Sequence, residues 1–144
     1  MSSAQGRGPI VVDTNVFGAD LVAGSALSER YDPIIAGRPA FISFQTVAEL
    51  HFGGLRRGWG PARMLKLESR ISRAEVVHTG RDLVLVCATL RVACEQRGHA
   101  LGQREHEADR WIAATALRLN VPLVSDDRIF QAVPGLVLET APAK

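Results

Sequence analysis

The sequence predicts an α/β domain, a parallel sheet with helices packed on both faces. Three observations carry that prediction. Short β-branched runs such as Ile10-Val11-Val12 are apolar throughout, as strands buried on both faces are. These runs alternate with stretches of helical spacing. The first run ends abruptly in Asp13-Thr14-Asn15, polar residues where open parallel sheets place their ligands, beyond the carboxyl ends of strands.

The chain has 144 residues, enough for one domain with a sizeable core, expected over 9–140 with tails at 1–8 and 141–144. After the first strand, 16–23 forms a short helix closed by Gly24. Ser25 or Ser28 caps a second helix that runs to Ala36 and is stopped by Gly37 and Pro39. Residues 40–44 read as a second strand and 46–57 as a helix, broken by Gly58-Trp59-Gly60-Pro61. Pro61 suits the first turn of the next helix, 62–73. A third strand is expected at 75–78. Leu83, Val86, Cys87, Leu90 and Cys94 give a helix over 81–97 an apolar face, and Gly98 stops it. Residues 98–105 read as a polar loop and 107–119 as the clearest helix, ended by Asn120 and Pro122. Strands at 122–124 and 136–139 flank a helical turn through Phe130.

Composition narrows the function. Hydrophobic residues are 47% and charged residues 22%, an ordinary globular balance. The formal net charge of +2 is too weak to argue nucleic acid by itself. Lysine occurs only at Lys66 and Lys144, so arginine carries the basic side. Arginine suits phosphate recognition, but a compositional bias explains it as well. Cys87 and Cys94 lie two helical turns apart, roughly 10 Å, too far for a disulfide. They read as small core residues and point to a reducing compartment. No run is long enough for a membrane helix, and 1–8 lacks the apolar stretch of a signal peptide.

Four acids stand out: Asp13, Glu49, Asp109 and Asp127. Each has a plain structural explanation. Asp13 suits an N-cap, and Thr46-Val47-Ala48-Glu49 is a capping box. Asp109 in a first turn favours the helix dipole, and Asp126 and Asp127 suit a turn. Position adds to this. Asp13 and the Asp126-Asp127 pair come directly after strands. Asp109 shares one helical face with Ile112, Ala113 and Ala116, an otherwise small and apolar face on which a lone acid calls for a partner. Four converging carboxylates would repel one another unless cations were present. They are the hard oxygen donors that magnesium or manganese takes, and such ions activate water for displacement at phosphorus.

Other acid-bearing or glycine-rich sites fit less well. A receiver-type signalling domain needs a lysine at a late strand, and neither lysine is placed there. A haloacid-dehalogenase-type phosphatase needs an Asp where Asn15 stands. Gly53 and Gly58 have the outer spacing of a phosphate-binding loop, but Trp59 stands where its Lys is required.

The chain resembles PIN-domain ribonucleases, specifically VapC-type toxins of toxin–antitoxin pairs. The resemblance rests on Val11-Val12-Asp13-Thr14-Asn15, Ser43-Phe44-Gln45-Thr46-Val47-Ala48-Glu49-Leu50, Asp109-Arg110-Trp111-Ile112-Ala113-Ala114-Thr115-Ala116 and Leu123-Val124-Ser125-Asp126-Asp127-Arg128-Ile129-Phe130. It implies a three-layer α/β/α PIN-like domain with a central, mostly parallel sheet of four to five strands. It implies that Asp13, Glu49, Asp109 and Asp127 form the catalytic and metal-holding quartet. In the family pattern the fourth acid stands two residues after a Thr or Ser, which selects Asp127 and leaves Asp126 less certain, and Ile129 stands where many members carry a further acid. Asn15, Thr14, Ser125, Asp126 and, more weakly, Thr46 become supporting residues around that quartet. The implied activity is magnesium-dependent (or manganese-dependent) cleavage of structured RNA, transfer or ribosomal, in the cytoplasm. The implied partners are a VapB-type antitoxin and a second copy of the toxin. Arg56, Arg57, Arg63, Arg104 and Arg110 are candidates for RNA phosphates, although solvated helix faces explain most of them equally well. Trp59 is a candidate to stack on a base, with a core or antitoxin contact the stronger reading. None of His51, His78, His99 and His106 is expected as a catalytic base. A catalytically silent PIN-like module that only binds RNA or protein is the alternative.

Overall fold

The computed structural model describes residues 8–22 and 25–142. Its centre is β1 (Ile10–Val12), three residues with no more than 1% exposure. Asp13 caps the short α1 (Thr14–Phe17) by accepting from the Thr14 amide. A 3-10 turn at Ala19–Leu21 replaces the rest of the helix expected over 16–23, and Ala23 and Gly24 lie outside the described residues. Ser25, not Ser28, caps α2 (Ala26–Ile35), its hydroxyl accepting from the Ser28 amide.

β2 (Ala40–Ser43) is shorter than expected, because Phe44 already begins α3 (Phe44–Arg56). Ser43 is the cap, accepting from the Gln45 amide, and Thr46 lies inside the helix. The capping-box reading of Thr46 and Glu49 therefore fails, and Glu49 sits in the second turn with no capping work to do. α4 (Pro61–Ile71) starts on Pro61 and leads to β3 (Glu75–Val77). α5 (Arg81–Gln96) comes next. The loop expected at 98–105 is wound into two 3-10 turns, Ala100–Gly102 and Arg104–His106. α6 (Glu107–Leu119) closes on Asn120 in the left-handed region, φ 58°. β4 (Leu123–Val124), a 3-10 turn at Arg128–Phe130 and β5 (Leu138–Glu139) complete the chain.

The five strands pair in the order β3-β2-β1-β4-β5, and every pairing is parallel. The chain steps outward from β1 to β3, then returns to the other side of β1 for β4 and β5. That reversal leaves a crevice beyond the carboxyl ends of β1 and β4, where neighbouring connections part to opposite faces. Alternation along β1 divides the core. Ile10 and Val12 join Val16, Phe17, Tyr31, Ile42 and Leu67 beneath α1, α2 and α4. Val11 joins Leu90, Cys94, Ile112, Ala113 and Leu123 beneath α5 and α6. Fully burying side chains such as Phe17 or Leu67 stabilises by about 1.5–3 kcal/mol each. Cys87 and Cys94 are both buried on α5 and unbridged.

Most of the tails expected at 1–8 and 141–144 falls outside the described residues. Of the rest, the Gly8 carbonyl accepts from Arg38, and Ala141 is 5% exposed within the first core.

Candidate active site

Because all five strands run the same way, the segments after β1, β2 and β4 emerge at one edge of the sheet. Asp13 comes directly after β1, and Ser125, Asp126 and Asp127 come after β4. α3 leaves β2 and carries Glu49 back over that edge, while the first turn of α6 brings Asp109 from the opposite layer. All four carboxylates line one cleft of about 630 Å³, together with Thr14, Asn15, Arg57 and Trp59.

Asp13 is the deepest of the four, 5% exposed. One carboxylate oxygen accepts from the Thr14 amide at 2.8 Å, the other from the Ser125 hydroxyl at 2.7 Å. Burial pushes its pKa up from 3.8 to about 6, against the pull of those two hydrogen bonds, and the charges of Asp109 and Glu49 push the same way. Asp109 is also raised, chiefly by burial. His106, 3.3 Å from its Oδ2, opposes that rise, while Asp127 and Glu49 add to it. Each of these acids thus feels two of the others. Loss of water, more than mutual repulsion, is what makes their charge costly.

Glu49 is held at both oxygens. Oε1 accepts from the Thr14 hydroxyl at 2.6 Å, and Oε2 from the Gln45 amide at 3.2 Å. Thr14 also donates toward the hydroxyl of Thr46, which is fully buried, so the same Oγ1 is shared between the two acceptors. Asp127 caps the adjoining turn, its Oδ1 accepting from the Ile129 amide.

The remaining sequence candidates separate. Ser125 sits between Asp13 and Asp127, its hydroxyl also accepting from the Asp127 amide at 3.0 Å. Asp126 instead meets Tyr31 and Arg30, outside the cleft lining. Arg57 is exposed and lines the cleft. Arg56 lies over the Phe52 ring, and Arg104 lines a separate depression with Arg91, Glu95 and His99. Arg63 covers the Trp59 ring at 4.8 Å. Trp59 lines the cleft because Gly54 lets it come close: a Cβ there would meet the indole at 2.9 Å. The expectation for Arg110 is corrected. It is 3% exposed, and its guanidinium donates to the Leu101 and Gln103 carbonyls, so no RNA phosphate can reach it. Three residues were missed from the sequence: Gln45, Tyr31 and His106. For His106 a signal existed, its place three residues before Asp109, just ahead of the helix that carries it.

The donor set suits a hard divalent ion, since four carboxylates open into one cleft. Among the described residues no three His, Cys, Asp or Glu side chains stand close enough to grip one ion directly. One or two carboxylates with water in the remaining positions is the usual way magnesium is held. Asp13, Glu49, Asp109 and Asp127 are the residues that could hold such an ion.

The fold and the cleft together define a class: parallel α/β domains with an acid-lined crevice at the sheet's switch point. Within that class the chain belongs to the PIN domain family, whose model matches residues 10–136. No curated protein matches the chain significantly. Among solved structures, it is similar to a chain of VapBC2 from Rickettsia felis bound to a promoter DNA fragment. The TM-score is 0.76 at 23% identity, over 93% of this chain and 99% of that one. A chain of DNA-bound VapBC from Salmonella typhimurium gives 0.70 at 24%, over 92% and 97%. A chain of FitAcB from Neisseria gonorrhoeae gives 0.71 at 20%, over 90% and 95%. The fold is therefore that of chains found in VapBC toxin–antitoxin complexes.

Proposed function

We propose that this PIN domain is the toxin of a VapBC-type pair, an endoribonuclease that hydrolyses phosphodiester bonds in structured RNA, transfer or ribosomal. The observation that carries the reading is the convergence of Asp13, Glu49, Asp109 and Asp127 on one cleft from four separate parts of the chain. Asp13 and Asp109 would hold magnesium or manganese, with Glu49 and Asp127 completing the charge around it. When bound, such an ion lowers the pKa of water and offsets the charge that builds on a phosphate under attack.

The protein's own part is positional. The Ser125 hydroxyl and the Thr14 amide fix the Asp13 carboxyl, and Thr14 with Gln45 fixes Glu49. Arg57, which lines the same cleft, would meet a phosphate flanking the cut. Asn15 lines the mouth beside it. The apolar side of the cleft, with Leu21, Leu27, Leu50 and Trp59, gives a VapB-type antitoxin segment a surface that leads into the acids. The work is expected in the cytoplasm and in a toxin dimer. Among the described residues no helix is long and apolar enough to cross a membrane.

The second reading is a silent module that binds RNA or protein without cutting. One experiment separates them. Purified protein is incubated with total RNA in magnesium, with EDTA, Asp13→Asn and Asp109→Asn as controls. Magnesium-dependent cleavage lost in all three controls supports the enzyme. Intact RNA, or cleavage that survives either substitution, refutes it.

A further inference from the structure

We propose that Tyr31 and Asp126 are positioning residues for the cleft: they brace the Ser125-Asp126-Asp127 segment from α2, and through it they set the Asp13 and Asp127 carboxylates. The inference rests on the metal-dependent reading above and assigns Asp126 a role different from that of a ligand.

Ser125 ties the first and fourth acids with one hydroxyl. Its Oγ donates to Asp13 Oδ2 at 2.7 Å and accepts from the Asp127 amide at 3.0 Å. Any displacement of Ser125 therefore moves both. Ser125 is fully buried, and its carbonyl faces the Tyr31 hydroxyl at 3.2 Å and the Thr140 hydroxyl at 3.3 Å. The next residue is held by the same phenol, which donates to Asp126 Oδ1 at 2.8 Å. A phenol has one proton, so the two acceptors share it and the nearer carboxylate takes the larger part.

Tyr31 can act as a brace because it does not move freely. It is the chain's only tyrosine, 1% exposed, on α2 and inside the first core. Arg30 on the same helix reaches Asp126 at 3.4 Å and also donates to the Ala141 and Pro142 carbonyls. The Asp126 side chain is 38% exposed, so the ion pair itself contributes little stability. Its value is directional. Asp127 is extended, φ −89° and ψ 128°, and successive side chains of an extended backbone point opposite ways. Anchoring Asp126 outward on α2 turns Asp127 inward to the cleft.

In this role Asp126 serves as an acceptor, not as a charge. Asp126→Asn keeps an oxygen for the Tyr31 hydroxyl, whereas Asp126→Ala and Tyr31→Phe remove one end of the contact. A ligand role for Asp126 would make Asn as damaging as Ala. Two readouts on the full chain decide: exchange of the Asp127 amide by NMR without metal, and binding of Mn2+ alone by titration.

Loss of one such hydrogen bond corresponds to roughly fivefold to tenfold. The Asp127 amide should exchange faster by about that factor in Tyr31→Phe and Asp126→Ala, and Mn2+ affinity should fall similarly. Asp126→Asn should match wild type, and the Val11 amide, bonded to the Pro122 carbonyl, should stay protected in all three. Wild-type exchange at Asp127 in Tyr31→Phe and Asp126→Ala would overturn the brace, as would an Asn variant no better than Ala. The exchange measurement needs no metal. A wild type that binds no Mn2+ would therefore overturn the metal-dependent reading, and with it any role of the brace in holding an ion.

Discussion

Asp13→Asn separates the energetic cost of the cleft from its use. In the folded chain burial lifts the Asp13 carboxyl from 3.8 to about 6. A folded value above the unfolded one means that folding favours the protonated form. The stability linked to this group is fully present below the unfolded value and is lost as pH rises through the folded one. The gap corresponds to about 3 kcal/mol by neutral pH. Asparagine has no charge to desolvate but offers one oxygen fewer, so the Ser125 hydroxyl loses its acceptor at a cost of about 1 kcal/mol. The net expectation in EDTA at about pH 7.5 is a gain of about 2 kcal/mol, or about 4–8 °C in Tm. At about pH 3, below the unfolded value, the wild-type carboxyl is protonated folded and unfolded alike, and only the lost hydrogen bond remains, so the sign reverses. Calorimetry of both proteins across that range, in EDTA, measures the difference directly. A variant no more stable than wild type at neutral pH would refute the reasoning. So would a gain that persists unchanged at low pH.

The same geometry sets other outcomes. Asp109→Asn, Glu49→Gln and Asp127→Asn should each reduce magnesium-dependent cleavage by about a hundredfold or more, measured as initial rates on a defined RNA. Wild-type cleavage should rise with pH through the region near 6 where Asp13 ionises, because its proton competes with the cation, and should fall away below it. Thr14→Val removes the hydroxyl that holds Glu49 and should weaken Mn2+ binding by about tenfold, while Thr14→Ser should restore it. Arg110→Met leaves the Leu101 and Gln103 carbonyls without their donor and should lower stability by about 2–4 kcal/mol in urea denaturation.

Much of the fold was legible because apolar runs and glycine stops mark buried parallel strands and their helices clearly. Asp13 stood out for the same reason, a charge directly after three buried residues. Asp109 was legible from the small apolar face it shares with Ile112, Ala113 and Ala116, and that face does pack against the second core. Glu49 was ambiguous because Thr46-x-x-Glu49 carries the local signature of a helix start. The true start, at Ser43, depends on where β2 stops, which tertiary pairing with β1 and β3 decides. Arg110 was misread because α6 is buried over most of its circumference, Ile112 through Ala116 included, so polarity no longer marks an outer face. An arginine there is kept by satisfying carbonyls from a neighbouring turn, a pairing that no local pattern announces. The contacts of Tyr31 with Ser125 and Asp126 span 94 and 95 positions and were equally invisible.

The place of β1 between β2 and β4 has a consequence for synthesis. Val11 pairs with Phe41 on one side and with Leu123 on the other. During translation β1 gains its second neighbour only once Leu123 of β4 has emerged. Until then one of its edges stays bare and Asp127 has not been made. A nascent chain that ends before Asp127 thus lacks the complete quartet, and any partner that shields that edge early meets a cleft not yet assembled.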